Sequence, residues 1–195
     1  MVSDILHRRE AILLTAIDLL DEKGIQGLST KEIARRQEIS ESAVFKFFKT
    51  KNELVSAILD RGAIYDEDIA ESARLKGFEP IEALYYCIKA YAEYYENYPA
   101  VISIMNSLMV LMYEPELSHQ IIKIMGSRYE FILSVIKDAQ KKGYIKDTAD
   151  EEVLADIVLG ILSITCIKWK MSGFAFPLKE RIVAALDMVI GEFKV

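Results

Sequence analysis

The sequence predicts an all-α fold. Apolar residues recur at the 3.6-residue period of a helix through most of the chain, no segment shows convincing strand alternation, and no Asn-Gly hairpin signal occurs. The four prolines, at positions 80, 99, 115 and 177, fall between the periodic segments.

Each element has its own start or stop. Ile5 to Glu22 places Leu6, Leu13, Ile17 and Leu20 on one face, widened by Ile12, Ala16 and Leu19, and Gly24 follows as a stop. Ser29-Thr30-Lys31-Glu32 is a capping box, in which the serine and the glutamate three residues on satisfy amides left open at a helix start. A second helix therefore runs from Thr30 to about Gln37. After the link Glu38-Ile39, Ser40 caps a third helix to about Phe47, and Lys49-Thr50-Lys51-Asn52 separates it from a long fourth, Glu53 to about Leu75. Pro80 suits the first turn of a fifth helix, which ends at Asn97-Tyr98-Pro99, and Pro99 opens a sixth to about Tyr113. Pro115 opens a seventh, closed by Lys141-Lys142-Gly143, where two cations meet the negative helix end and glycine takes the left-handed cap. Asp147 to Glu152 give an acidic start to an eighth, through about Lys170. Gly173 and Pro177 bound the loop before the ninth, Leu178 to Phe193. Three helices thus fall in residues 1–52 and six in residues 53–195.

Composition narrows the class. With 195 residues, 52% of them apolar and 10% aromatic, the chain is long enough for a core and far from a disordered composition. The longest apolar stretch, Ile157 to Ile167, is broken by Gly160, Ser163 and Thr165 and is shorter than the ~20 residues that span a bilayer, so no membrane helix is expected. Met1 to Glu10 carries Asp4, His7, Arg8, Arg9 and Glu10 and lacks the apolar core of a signal peptide, which favours a cytoplasmic protein. Cys87 and Cys166 sit among apolar residues at unrelated spacing, as reduced buried thiols do. Glycine-rich phosphate loops, His-Glu-x-x-His, Cys-x-x-Cys and Gly-x-Ser-x-Gly are all missing, and His7 and His119 lack partners at ligand spacing. No enzyme, cofactor or metal site is expected.

The informative segment is Leu28 to Leu54, where two short capped helices are separated by a link that allows only a tight turn: helix-turn-helix geometry. Ile33, Ala34, Ile39 and Val44 hold such a pair together, leaving Thr30, Lys31, Glu41, Ser42, Ala43 and Lys46 outside. From Lys31 to Lys51 there are six basic and three acidic residues, whereas residues 62–195 hold 14 basic and 20 acidic ones. A locally basic head on an acidic body still binds phosphates, because screening over ~8 Å makes nearby charge count most.

Over residues 9–61 the chain resembles the TetR/AcrR family of one-component transcriptional regulators. The resemblance is carried by Ile33-Ala34 in the second helix, Ser40 before the recognition helix, the run Phe45-Lys46-Phe47-Phe48, and Lys51-Asn52-Glu53-Leu54 opening the long helix. Lys142-Gly143-Tyr144-Ile145 and Leu154-Ala155-Asp156, followed by an apolar helix and Trp169, look similar more loosely. The resemblance implies a DNA surface built from Thr30, Lys31, Ser40, Glu41, Ser42, Ala43, Phe45, Lys46, Phe47, Lys49 and Lys51, with lysines and Thr30 on phosphates and Glu41, Ser42 and Ala43 near base edges. There are departures. The family usually has Ala-Gly in the turn and this chain has Gln37-Glu38, so a non-glycine must take a left-handed or strained conformation. Phe45 and Phe47 stand where the family has tyrosine and histidine or tyrosine, which removes phosphate donors that Lys46 replaces. Glu41 repels phosphate and becomes a specificity residue if it accepts from a cytosine amino group.

In the C-terminal part, the eighth helix is apolar nearly all round and the ninth carries Ile182, Leu186, Val189 and Phe193 on one stripe, more apolar surface than one monomer core requires. The resembling family pairs its last two helices with their copies in a homodimer, which implies an interface at Ile157, Ile161, Ile182, Leu186, Val189 and Phe193 and a palindromic double-stranded DNA operator. Aromatics with polar tips and adaptable methionines, Tyr86, Tyr91, Tyr94, Met105, Met109, Tyr113, Tyr129 and Trp169, suit a pocket for a small hydrophobic or flat effector. The expected protein is a ligand-responsive, dimeric, DNA-binding repressor. The rival is a helical ligand-binding or interaction protein that has lost specific DNA binding.

Overall fold

The computed structural model describes residues 2–195, with side chains from Ile5 onward, so Asp4 of the N-terminal charge cluster lies outside the described side chains. Among the described residues there are nine helices, α1 (Val2–Gly27), α2 (Thr30–Arg36), α3 (Glu41–Phe45), α4 (Lys51–Leu75), α5 (Pro80–Asn97), α6 (Ala100–Leu111), α7 (Pro115–Lys141), α8 (Glu151–Met171) and α9 (Leu178–Phe193). Among the described residues strand pairing is limited to one antiparallel bridge, Ile145 with Lys194. Gly24 breaks the regular helix of α1, at φ 67 and ψ −176, and one more turn follows it. The third helix is shorter than its apolar pattern predicts: regular structure stops at Phe45, because the amides of Phe47 and Phe48 both turn back to the Val44 carbonyl, at 2.9 and 3.1 Å.

The chain forms two compact units. The first comprises residues 1–64 and 100–123, and the second residues 65–99 and 124–195. In the first, Ile12, Leu13, Ala16, Leu19 and Leu20 of α1 are buried, α6 packs along α1, and Ser103 donates to Asp21 at 2.7 Å. Leu6, on the same predicted stripe, is exposed. α4 and α7 are tied within this unit by Asn52 to Glu116 at 2.8 Å, Ser56 to Gln120 at 2.9 Å and Gln120 to Asp60 at 2.7 Å.

In the second unit α5, α8 and α9 pack on one another through Leu84, Cys87, Ile88, Tyr91 and Tyr95 of α5, Leu154, Val158, Leu162 and Cys166 of α8, and Leu178, Ile182, Leu186 and Ile190 of α9. Each such aliphatic residue withdrawn from water contributes roughly 1.5–3 kcal/mol. Asp150 caps α8 by accepting from the amides of Glu152 and Val153, and Glu96 caps α9 from another helix, accepting from the amides of Leu178 and Lys179. Trp169 is buried at the end of α8, edge-on to Phe174 with ring centroids 4.6 Å apart. Both cysteines are free and buried, and burial pushes both thiols up to about 12.

Candidate nucleic-acid interface

Two serine caps and a tight turn build the site. Ser29 accepts from the Glu32 amide and Ser40 from the Ala43 amide, both at 3.2 Å, which starts α2 and α3 where the sequence places them. Between them Gln37 and Ile39 donate backbone bonds back into α2, to Ile33 and Ala34, and Glu38 takes a positive φ of 53. That is the left-handed residue expected at the family's glycine. The Gln37 side chain reaches α1, donating to the buried Thr15 hydroxyl at 2.6 Å, and Ile33, Ala34 and Val44 are buried in the angle between the helices. Phe48 is buried behind them, with the Arg9 guanidinium 4.9 Å from its ring centre.

The outward face carries most of the predicted DNA residues. Lys31, Ser40, Glu41, Ser42, Phe45, Lys46, Lys49 and Lys51 are exposed, and Thr30, Ala43 and Phe47 are half-buried. Thr30 donates to the Glu41 carboxylate at 2.6 Å, and the Ser40 and Ser42 hydroxyls share a bond of 2.9 Å. Lys51 is turned away, donating to the Ile25 carbonyl at 2.6 Å.

Charge at this surface differs from the sequence count. Arg35 grips Glu32 through two bonds of 2.9 and 2.8 Å, and Arg36 grips Glu22 of α1 through two bonds of 2.8 and 2.5 Å. The hydrogen bonds from Arg35 hold the Glu32 carboxyl well below the usual carboxylate range, and those from Arg36 lower Glu22. Two of the six cations between positions 31 and 51 are therefore neutralised within the protein and a third faces α1. Lys31, Lys46 and Lys49 remain outward, with no side-chain ion pair among the described residues.

The predicted effector residues are divided between the two units. Met105, Met109 and Tyr113 belong to the first unit and Tyr86, Tyr91, Tyr94, Tyr129 and Trp169 to the second. Met109 and Tyr113 are exposed, whereas Tyr91 and Trp169 are buried. A groove of about 390 Å³ in the first unit, lined by Arg9, Phe47, Phe48, Ser56, Asp60 and Glu116 among others, contains none of the eight. The second unit holds a polar cluster that sequence reasoning missed. Arg128 of α7 donates twice to Asp66 of α4, at 2.6 and 3.2 Å, once to the Tyr95 hydroxyl at 2.9 Å, and lies 4.6 Å over the Tyr91 ring. Burial raises the Asp66 carboxyl above its ordinary value, against the pull of Arg128. The signal was present: Asp66 and Arg128 each interrupt an apolar stripe, between Ile58 and Ile69 on α4 and between Ile121 and Ile132 on α7.

The interface residues also need correction. Ile182 and Leu186 are buried inside the second unit's own core and have no surface to offer a second copy. Ile161, Val189 and Phe193 are half-buried and Ile157 is exposed. The large apolar residues that α8 and α9 leave exposed are Val153, Ile157, Ile164, Met171 and Met188. Among the described residues no helix is long and apolar enough to cross a membrane, and no cluster of His, Cys, Asp and Glu is arranged to hold a metal ion.

A capped helix-turn-helix with an outward lysine face, followed by a long helical body, defines a DNA-binding regulator. The model for bacterial regulatory proteins of the tetR family matches residues 12–58, and that for the YsiA-like protein C-terminal region matches residues 72–192. The HTH-type transcriptional regulator YvkB of Bacillus subtilis (strain 168) is 27% identical over 151 residues, 77% of each chain. The ketosteroid transcriptional regulator KstR2 of Mycobacterium tuberculosis shares the fold at a TM-score of 0.84 and 18% identity, covering 96% of this chain and 95% of that one. The regulator FadR of Bacillus subtilis, solved in complex with stearoyl-CoA, does so at 0.79 and 17%, covering 93% and 97%. The chain belongs to the tetR family of bacterial regulatory proteins, which are transcriptional regulators.

Proposed function

We propose that this chain is a ligand-responsive repressor that binds a palindromic operator as a homodimer and is released by a small hydrophobic or aromatic effector. Residues 1–52 act as the DNA-binding head, and residues 53–195 bind the effector and dimerise. The observation that carries this reading is the outward lysine face: Lys31, Lys46 and Lys49 flank the short side chains of Ser42 and Ala43 on the side of α3 turned away from the buried Val44. Lysines of this kind neutralise phosphates and fix register, while Glu41, Ser42 and Ala43 are short enough to meet base edges in the major groove.

Dimerisation through α8 and α9 is supported by Val153, Ile157, Ile164 and Met171 along one side of α8 and Met188 on α9, all exposed in the single chain. Gly160 and Gly191, with nothing within 4 Å of a Cβ added at either, leave room there for a second backbone. For the effector, the ketosteroid and stearoyl-CoA in the names of the two structural neighbours both have apolar bodies. Tyr91, Tyr94 and Tyr95 supply an aromatic environment in this chain and the Arg128–Asp66 pair a polar anchor. The effector shifts the DNA-binding equilibrium only as far as it binds the two states differently.

The test is selection of binding sites from random duplex DNA with purified protein at several salt concentrations, alongside its solution mass. A twofold-symmetric consensus bound by a dimer, weakening steeply with salt, is the expected outcome. A folded dimer that enriches no sequence at low salt overturns the reading in favour of a ligand-binding protein without an operator.

A further inference from the structure

Thr30 is the first residue of α2 and Glu41 the first of α3, each directly after the serine that caps its helix. The backbone fixes where these two starts lie, because α2 and α3 pack on each other and the Ile39 amide donates to the Ala34 carbonyl at 3.0 Å. Between the two starts the Thr30 hydroxyl donates to Oε1 of Glu41 at 2.6 Å. A carboxylate only accepts, so the single hydroxyl proton of Thr30 is committed to this bond. In this arrangement Thr30 has no proton to give a phosphate, and the lone pairs it has left find no donor there.

Glu41 is exposed, and among the described residues no cation pairs with it. Glu32 and Glu22, by contrast, are taken up by Arg35 and Arg36. A free surface glutamate loses rotamer freedom when it binds, whereas one already held has less to lose. One accepted bond leaves lone pairs on both carboxylate oxygens. Base edges decide what these can meet. In the major groove cytosine presents an amino donor and no acceptor, adenine presents its amino donor beside the N7 acceptor, and guanine and thymine present acceptors. A fixed carboxylate is therefore matched by cytosine, matched in part by adenine, and repelled by guanine and thymine.

We propose that Glu41 selects a cytosine at one position of each operator half-site, and that Thr30 is the positioning residue that holds its carboxylate there. The proposal rests on the regulator reading and goes beyond it in naming the base and in assigning Thr30 to a side chain instead of the DNA backbone. The same carboxylate penalises sites that lack the cytosine, so the pair discriminates by repulsion as well as by the bond it accepts.

Site selection from random duplex DNA, followed by anisotropy titrations on the selected duplex, tests this with full-length wild type, Thr30→Val, Thr30→Ser and Glu41→Gln. Wild type should prefer cytosine over guanine or thymine at one half-site position by about tenfold or more. Replacing that cytosine with N4-methylcytosine keeps the base pair and covers the amino hydrogen that faces the groove; it should cost wild type about as much as a wrong base, with no change to the protein. Thr30→Val should cut the cytosine preference about fivefold and leave the other positions and the salt slope unaltered, while Thr30→Ser, which keeps the hydroxyl, should stay within about twofold of wild type. Glu41→Gln should move the preference to adenine, whose adjacent donor and acceptor suit an amide. Uniform weakening on every sequence in Thr30→Val would place the hydroxyl on a phosphate and overturn the positioning role, as would a Thr30→Ser variant that behaves like Thr30→Val. Equal binding of the N4-methylated duplex, or a consensus in which no position prefers cytosine, overturns the assignment of the base and leaves the regulator reading standing. No consensus from wild type at low salt removes the regulator reading, and this proposal with it.

Discussion

Lys46→Ala offers the sharpest test of the DNA-binding face, because the structure says how many charges are free to act. Each head presents Lys31, Lys46 and Lys49, whereas Arg35 and Arg36 are held by Glu32 and Glu22 and Lys51 by the Ile25 carbonyl. In the proposed dimer two heads would bring six lysines to the phosphates. At about −0.9 per phosphate neutralised, log K should fall against log salt with a slope of about −5.4, a loss of roughly 2,000-fold between 50 and 200 mM. Removing Lys46 from both heads leaves four, a slope of about −3.6 and a loss of roughly 150-fold over the same range. Extrapolating the difference from 1 M salt, the variant should be on the order of 30-fold weaker at 150 mM. Fluorescence anisotropy of a labelled operator duplex across that range measures both slopes. A wild-type slope near −11 would refute the reasoning, since it would mean that the arginines and Lys51 abandon their partners to bind DNA. A Lys46→Ala slope equal to wild type would remove Lys46 from the interface.

Other consequences are as specific. Glu41→Ala removes a carboxylate held by Thr30 beside the residues proposed to read bases, so it should change preference at one half-site position by about tenfold or more while leaving the salt slope unaltered; selection on the variant checks both. Arg128→Met leaves the largely buried side chain of Asp66 unpaired at a cost of about 3–5 kcal/mol, a fall in melting temperature of roughly 6–20 °C, and the double change with Asp66→Leu should recover much of it. Differential scanning calorimetry decides, and a fall under 2 °C for the single variant would show the pair to be dispensable. Glu22 and Glu32 have folded pKa values below their ordinary 4.5, so the stability they give is complete above pH 4.5 and is lost as the pH falls through the lower folded values. Glu32→Gln should accordingly show a lower melting temperature at pH 7 and a smaller change between pH 5 and pH 3 than wild type. Equal acid limbs for the two proteins would contradict this.

What the sequence reveals depends on how local the determining interaction is. Ser29, Ser40, Pro80, Pro115 and Asp150 act within one turn of their own helix, and the starts of α2, α3, α5, α7 and α8 follow from them directly. The left-handed turn residue was legible for the same reason, as Glu38 occupies the family's glycine position. The end of α3 was not, because apolar periodicity continues through Phe47 while the backbone bonds have already turned back on Val44. Charge was miscounted where the partner is remote: Arg36 is neutralised by Glu22, fourteen residues away on another helix. The assignment of Ile182 and Leu186 to an interface fails for a related reason. When two adjacent helices both carry broad apolar faces, periodicity alone does not say which face meets the chain's own core.

The edge-on pair of Trp169 and Phe174 gives the molecule a native optical reporter. The chain contains one tryptophan, so its whole indole emission comes from this spot at the end of α8, screened from water and quenched or released by what happens to the turn that follows. Unfolding of the second unit, and the subunit exchange and effector entry proposed above, can then be followed by emission wavelength alone, with no dye attached and both thiols left buried.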